Sequence, residues 1–220
     1  MAFTLPRRGL LALPSLLGVT ALPSLLGVMA LPSLLGAAPA LAQSADPRMA
    51  ERSSGPADAP LVVTEFFSLT CGHCAAFHIT TWPQVKRELV ETGRIRMVWS
   101  DFPLDDVALR AAMVARALPA LRYEAFISTL FSTQNRWAFA QGRQMEELAA
   151  LAAVAGMGRP EFDRVIADQD LQRGILEARL AAQNRHQIRA TPSFVFGARL
   201  VSGGVTMAEF RAQVERGGRA

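Results

Sequence analysis

Apolar residues along this chain change period several times, and each change marks an element. Residues 61–67, Leu-Val-Val-Thr-Glu-Phe-Phe, form a nearly unbroken apolar run and predict a buried strand. Phe77, Val85 and Leu89 then recur at helical spacing, which predicts a helix over about 72–91. Pro83 falls inside that helix and is expected to kink it, because proline removes a backbone hydrogen bond. Gly93 suits its end. Residues 94–100 alternate and predict a second core strand.

A long helical stretch follows. Val107, Ala111, Val114 and Leu118 share one stripe, and Tyr123, Phe126, Ile127, Leu130 and Phe131 share another. Met145, Leu148, Ala152 and Ala155 form a third, ending before Gly156. Pro160 suits the first turn of a short helix with Phe162, Val165 and Ile166 inward, and residues 171–188 predict one more helix. Such stripes are core by default. Strand character returns at 193–196, and Gly197-Ala198 turns the chain into 199–201 as a hairpin. Thr206 and Glu209 match a capping box that opens a last helix carrying Met207, Phe210 and Val214. Upstream, residues 43–60 contain Pro47, Pro56 and Pro60 and read as an extended lead-in, with part of 48–53 expected to add an edge strand.

The order βαβ, helical block, ββα predicts an α/β protein: a thioredoxin fold with an inserted helical subdomain. The thioredoxin-like domain is expected over 61–102 and 187–220, and the insertion over 103–186.

Residues 1–42 differ from the rest. Arg7-Arg8 precede an uncharged apolar run that ends Ala40-Leu41-Ala42, the pattern of a secretory signal peptide cleaved after Ala42. Leu-Pro-Ser-Leu-Leu-Gly occurs at 13–18, 22–27 and 31–36, a duplication within a targeting segment. The competing reading is an uncleaved membrane anchor, since the run is long enough to span a bilayer. Twin-arginine export is a further route that Arg7-Arg8 leave open. Export points to the periplasm, where disulfides persist. The net charge of +4 comes without a basic stripe interleaved with aromatics, so no nucleic-acid role is expected.

The chain has two cysteines, Cys71 and Cys74, at the junction of the first core strand and its helix. A Cys-x-x-Cys in that place is a thioredoxin-type redox motif. The helix N-terminus stabilises a thiolate on the first cysteine, and the thiolate is the reactive species in disulfide exchange. His73 lies between the two and, partly protonated, would stabilise the Cys71 thiolate further. Zinc is the alternative, with His78 as a third ligand, but a structural site wants four. Haem attachment fails because Ala75, not histidine, follows Cys74. A structural disulfide closing so short a loop restrains the unfolded chain little. His78 itself reads as ordinary packing or surface. With both cysteines in one motif, the hydrophobic core must stabilise the fold.

Residues 48–216 resemble the DsbA-like thiol:disulfide oxidoreductases of bacterial envelopes. The resemblance rests on Glu65-Phe66-Phe67-Ser68-Leu69-Thr70-Cys71-Gly72-His73-Cys74, on Asp101-Phe102-Pro103-Leu104-Asp105, on Thr191-Pro192-Ser193-Phe194 and on Val201-Ser202-Gly203-Gly204. Gly72 departs from DsbA itself, which typically has proline there; Cys-Gly-His-Cys is similar to the motif of protein disulfide isomerases. The resemblance implies Cys71 as nucleophile, Cys74 as buried resolving partner and Glu65 as a proton relay for Cys74. It also implies a cis bond at Thr191-Pro192 that faces the cysteines and leaves the Thr191 backbone free to pair with a substrate peptide. No cofactor is expected beyond the redox-active disulfide, and no metal. The expected function is a periplasmic oxidase that donates its disulfide to unfolded or reduced exported proteins, acting as a monomer and reoxidised by a DsbB-type membrane partner. A reductase or isomerase using the same dithiol, a non-catalytic chaperone-like binder and a kappa-type glutathione transferase relative are the competing classes.

Overall fold

The structure, a computed structural model, describes residues 46–218. The expected signal segment, its cleavage point and the alternative anchor lie outside the described residues. Within them, no helix is long and apolar enough to cross a membrane.

Among the described residues, five strands form one mixed sheet in the order β1-β3-β2-β4-β5. They are β1 (Arg52–Ser54), β2 (Val62–Phe67), β3 (Arg96–Asp101), β4 (Ser193–Phe196) and β5 (Arg199–Ser202). Central β2 runs parallel to β3 and antiparallel to β4. Its alternation sends Val63 and Phe67 into the main core, with Glu65 on the same side. Phe66 points the other way, into a smaller cluster with Phe102, Ile188 and Val195. Both faces are covered, which explains why residues 61–67 read as a continuous apolar run. The edge strand β1 pairs antiparallel with β3, as the lead-in suggested.

Helical geometry is continuous from Gly72 to Val90 but changes pitch. α1 (Gly72–Ala76) and α2 (Trp82–Val85) alternate with π-helical turns at Phe77–Thr81 and Lys86–Val90. Pro83 was expected to kink this helix. It sits in the first turn of α2, directly after a wide turn in which the Trp82 N–H bonds back to Phe77. The π turn accommodates the residue that cannot donate a hydrogen bond.

The remaining helices are α3 (Asp106–Ala117), α4 (Ala120–Ser132), α5 (Gln134–Trp137), α6 (Gln144–Val154), α7 (Arg159–Ile166), α8 (Gln169–His186) and α9 (Met207–Gly217). α3 packs against α4, α6, α7 and α8. The main core is shared: Phe67, Trp82 and Leu89 belong to the same buried cluster as Met113, Phe131, Phe162 and Ile175. α8 ends where Gln187 turns left-handed at φ 57°, slightly before the expected limit. The capping box at Thr206 and Glu209 opens α9 as the sequence indicates.

One polar cluster inside this shell ties the sheet to the helices. Asp101 closes β3 and is buried. Its carboxylate accepts from Arg116 Nε at 2.5 Å and from the Tyr123 hydroxyl at 2.9 Å. Burial, then the Asp101 carboxylate, push the Tyr123 phenol well above its ordinary value, so it remains a donor. Arg52 and Arg116 lie over the Tyr123 ring at 5.7 and 5.9 Å and donate to backbone carbonyls around it. Removing one partner strands a buried charge. Arg116→Met is therefore expected to lower the unfolding free energy by about 3–5 kcal/mol in a denaturant titration. A loss under about 1 kcal/mol, the level of an exposed pair, would contradict this account.

Candidate active site

Cys71 is the N-cap residue of α1, with extended backbone angles of φ −82° and ψ 120°. Cys74 follows one helical turn later. The turn makes their environments unequal: Cys71 is half-buried, whereas Cys74 is 0% exposed. Both are free thiols here. The Cys71 thiol is lowered to about 5, first by a hydrogen bond from the Cys74 thiol, against the effect of burial. The Thr191 side chain and the backbone N–H groups of Cys74 and His73 add to the lowering. Cys74 moves the opposite way. Burial pushes it far up, and its bond to Cys71 and the charge of Glu65 push it further.

His73 was expected to act through its ring. His73 is exposed, and its backbone N–H is among the groups that lower the Cys71 thiol.

The expected cis bond at Thr191-Pro192 is present. Its loop faces the cysteines: Cys71 Sγ lies 3.3 Å from the Thr191 carbonyl oxygen and donates to it. That carbonyl was expected to stand free for a substrate; in the dithiol form it is taken by the enzyme's own thiol. Thr191 Oγ1 is buried without a hydrogen-bond partner, so its hydroxyl is available to the sulfur once Cys71 ionises. Ser193 Oγ fastens the loop through Ala190 O at 2.7 Å and Ser202 Oγ at 3.0 Å.

The helical segment grips the active-site loop at two points that sequence reasoning missed. The buried Gln134 amide donates to Leu69 O at 2.8 Å and to Cys71 O at 3.2 Å. Thr70 Oγ1 donates to Asp105 Oδ2 at 2.6 Å, while Asp105 Oδ1 caps α3 through Ala108 N. Gln134 is 63 positions from Cys71, and no local spacing signals the contact.

Glu65 is 0% exposed, as the apolar run around it implied. His78 corrects the expectation of ordinary packing or surface. It is buried, and its Nε2 lies 3.0 and 3.2 Å from the two Glu65 oxygens. Its ring stacks on Phe131 at 4.2 Å. The sequence carried a signal for this: His78 is four residues beyond Cys74, on the same helical face. Because His78 turns to Glu65, it does not join the cysteines in the zinc arrangement weighed from the sequence. Among the described residues, no group of three or more His, Cys, Asp or Glu side chains is placed to hold a metal.

Beside the cysteines runs a groove of about 370 Å³, lined by Gly72, Ala76, Ile79, Phe131 and Thr133. Ile79 is 53% exposed and presents apolar surface in this groove, which Gly72 also lines.

A sequence profile described as thioredoxin matches residues 48–216. A Rickettsia bellii protein provisionally named a protein-disulfide oxidoreductase is 26% identical over 141 residues, 64% of this chain and 54% of that protein. The chain thus spans about half the length of the curated relatives it matches. The solved structure of Wolbachia pipientis alpha-DsbA1 superposes with a TM-score of 0.71 at 24% identity, over 77% of this chain and 92% of that one. A protein-disulfide isomerase from Novosphingobium aromaticivorans gives 0.68 at 23% identity, over 77% and 98%. These structural likenesses establish the fold: a thioredoxin fold with the helical insertion of DsbA-like structures.

Titration of the reduced protein by thiolate absorbance is expected to show one group with a midpoint of about 5. Thr191→Val removes the hydroxyl and is expected to raise that midpoint. A midpoint near the free-cysteine value of about 8.5 would contradict the site's electrostatics.

Proposed function

The chain belongs to the thioredoxin family, and we propose that within it the protein is a DsbA-type thiol:disulfide oxidoreductase that donates its Cys71–Cys74 disulfide to reduced exported proteins. The observation that carries this reading is the inequality of the two thiols: a half-buried, acidic Cys71 beside a buried Cys74 that resists ionisation.

The chemistry follows from that inequality. A substrate thiolate attacks Cys71 Sγ, the accessible sulfur. The Cys71–Cys74 bond breaks, its electron pair goes to Cys74 Sγ, and that sulfur takes up a proton. A second substrate thiolate attacks the substrate sulfur of the mixed disulfide, and Cys71 leaves as a thiolate. The substrate is oxidised by two electrons and the protein is reduced to the dithiol. The stabilised Cys71 thiolate exists only in the reduced protein, so its stabilisation favours reduction and makes the disulfide oxidising.

The remaining parts of the site suit this role. The Thr191 carbonyl, released when Cys71 gives up its thiol proton, would pair with an incoming peptide in strand-addition fashion. The apolar groove at Ile79 would take an unfolded segment. The leader at residues 1–42 supports a periplasmic setting, and a quinone-coupled membrane partner of the DsbB type would restore the disulfide. Reductive or isomerising use of the same dithiol is the alternative direction.

Two measurements test the proposal. Cys74→Ser is expected to accumulate mixed disulfides with exported proteins, because resolution from within is lost, whereas Cys71→Ser accumulates few; equal trapping would refute the assignment. Equilibration with glutathione is expected to place the pair between about −180 and −120 mV, among oxidising dithiols. A value near −270 mV, typical of a reductant, would reverse the direction of electron flow.

A further inference from the structure

Glu65 and His78 are bonded to each other in the interior behind Cys74, with side-chain exposures of 0% and 1%. Resting on the thiol-exchange reading above, we propose that His78 is a positioning residue: its Nε2–H holds the Glu65 carboxylate so that Glu65 can exchange a proton with Cys74.

The need for such a group is physical. When the disulfide is reduced, the electron pair lands on a sulfur that is 0% exposed. A thiolate left there is costly, and solvent does not reach it to supply a proton. Glu65 is close enough that its charge opposes ionisation of Cys74. Its register partners across the sheet are Trp99 on β3 and Phe194 on β4, and α4 contributes Phe131 against the His78 ring. The titratable neighbours are Cys74 on α1 and His78 on the turn that follows it.

Balance is simple. On reduction, the Glu65 carboxylic acid gives its proton to Cys74 and becomes a carboxylate. On reoxidation, that carboxylate removes the Cys74 proton as the sulfur attacks. A buried carboxylate standing alone would hold its proton too tightly for either step. A hydrogen-bond donor to the charged form corrects this, and Nε2 lies within reach of both oxygens at 3.0 and 3.2 Å. The tautomer follows from the other ring nitrogen. Nδ1 is buried with no hydrogen-bond partner. An unpaired buried N–H is rarer than an unpaired acceptor, so the proton belongs on Nε2, where Glu65 accepts it. The rings of Phe67, Phe77, Trp82 and Phe131 surround His78 and fix its orientation.

The test follows reduction of the Cys71–Cys74 disulfide by a small thiol such as glutathione across pH, in wild type, His78→Phe and His78→Gln. Phenylalanine keeps the ring volume and removes the donor; glutamine restores a donor that cannot titrate. His78→Phe is expected to displace the inflection of the rate–pH profile to higher pH, because it removes a hydrogen bond to a charged group. His78→Gln is expected to return it towards wild type. An unmoved inflection in a folded His78→Phe protein, or equal shifts in both variants, would overturn the proposal. Ring-nitrogen NMR of the reduced wild type decides the matter even if His78→Phe fails to fold: a protonated Nε2 with bare Nδ1 supports it, and the opposite tautomer overturns it. Failure of the wild type to exchange at all would sink the thiol-exchange reading itself, a result distinct from any of these.

Discussion

The Cys74 thiol cannot ionise without stranding a charge in an apolar interior, and it lies one helical turn from a thiol that can. Much of the site's chemistry follows from that constraint. A sulfur obliged to stay protonated is a permanent donor, and its hydrogen bond is the largest cause of the lowered Cys71 thiol. Burial therefore acts twice: it holds Cys74 neutral and, through one hydrogen bond, makes Cys71 acidic.

The fold can be understood as the means of keeping that inequality. β2 delivers the chain to the N-terminus of α1 from the centre of a sheet covered on both faces. The hairpin strand β4 begins directly after the cis-proline loop, which sets the Thr191 carbonyl 3.3 Å from Cys71 Sγ. From the far side, Gln134 and Asp105 hold the loop that carries Cys71. The helices thus do more than bury sheet surface. They fix the backbone from which the reactive sulfur projects, and the Asp101–Arg116 pair ties them to the end of β3.

Elements whose signals are local were legible in the sequence. The buried run at 61–67, the motif at Cys71–Cys74, the capping box at Thr206 and the hairpin turn at Gly197 depend on neighbours a few positions away, and each stands where its pattern indicated. The burial of Glu65 was legible too, from the apolar residues on either side of it. What escaped notice depends on long-range packing. Gln134 meets Cys71 across 63 positions, and Asp101 meets Arg116 and Tyr123 only because α3 and α4 fold back over the sheet. His78 is intermediate. Its helical phase relative to Cys74 was available, but its value emerged only when β2 placed Glu65 beneath that phase. At Pro83 a local rule indicated a break in the helical hydrogen-bond pattern, and a change of helical pitch stands there.

Comparing the stability of the reduced and oxidised proteins against pH tests the central claim most directly. The folded-state Cys71 value of about 5 lies below the value of about 8.5 expected in the unfolded chain. Ionisation therefore stabilises the reduced fold fully above about pH 8.5, less as pH falls, and not at all below about pH 5. Denaturant unfolding is expected to show the reduced protein more stable than the oxidised one at about pH 8, with that advantage lost by about pH 4. An oxidised protein that is the more stable at both pH values, or a difference that does not change with pH, would contradict the account.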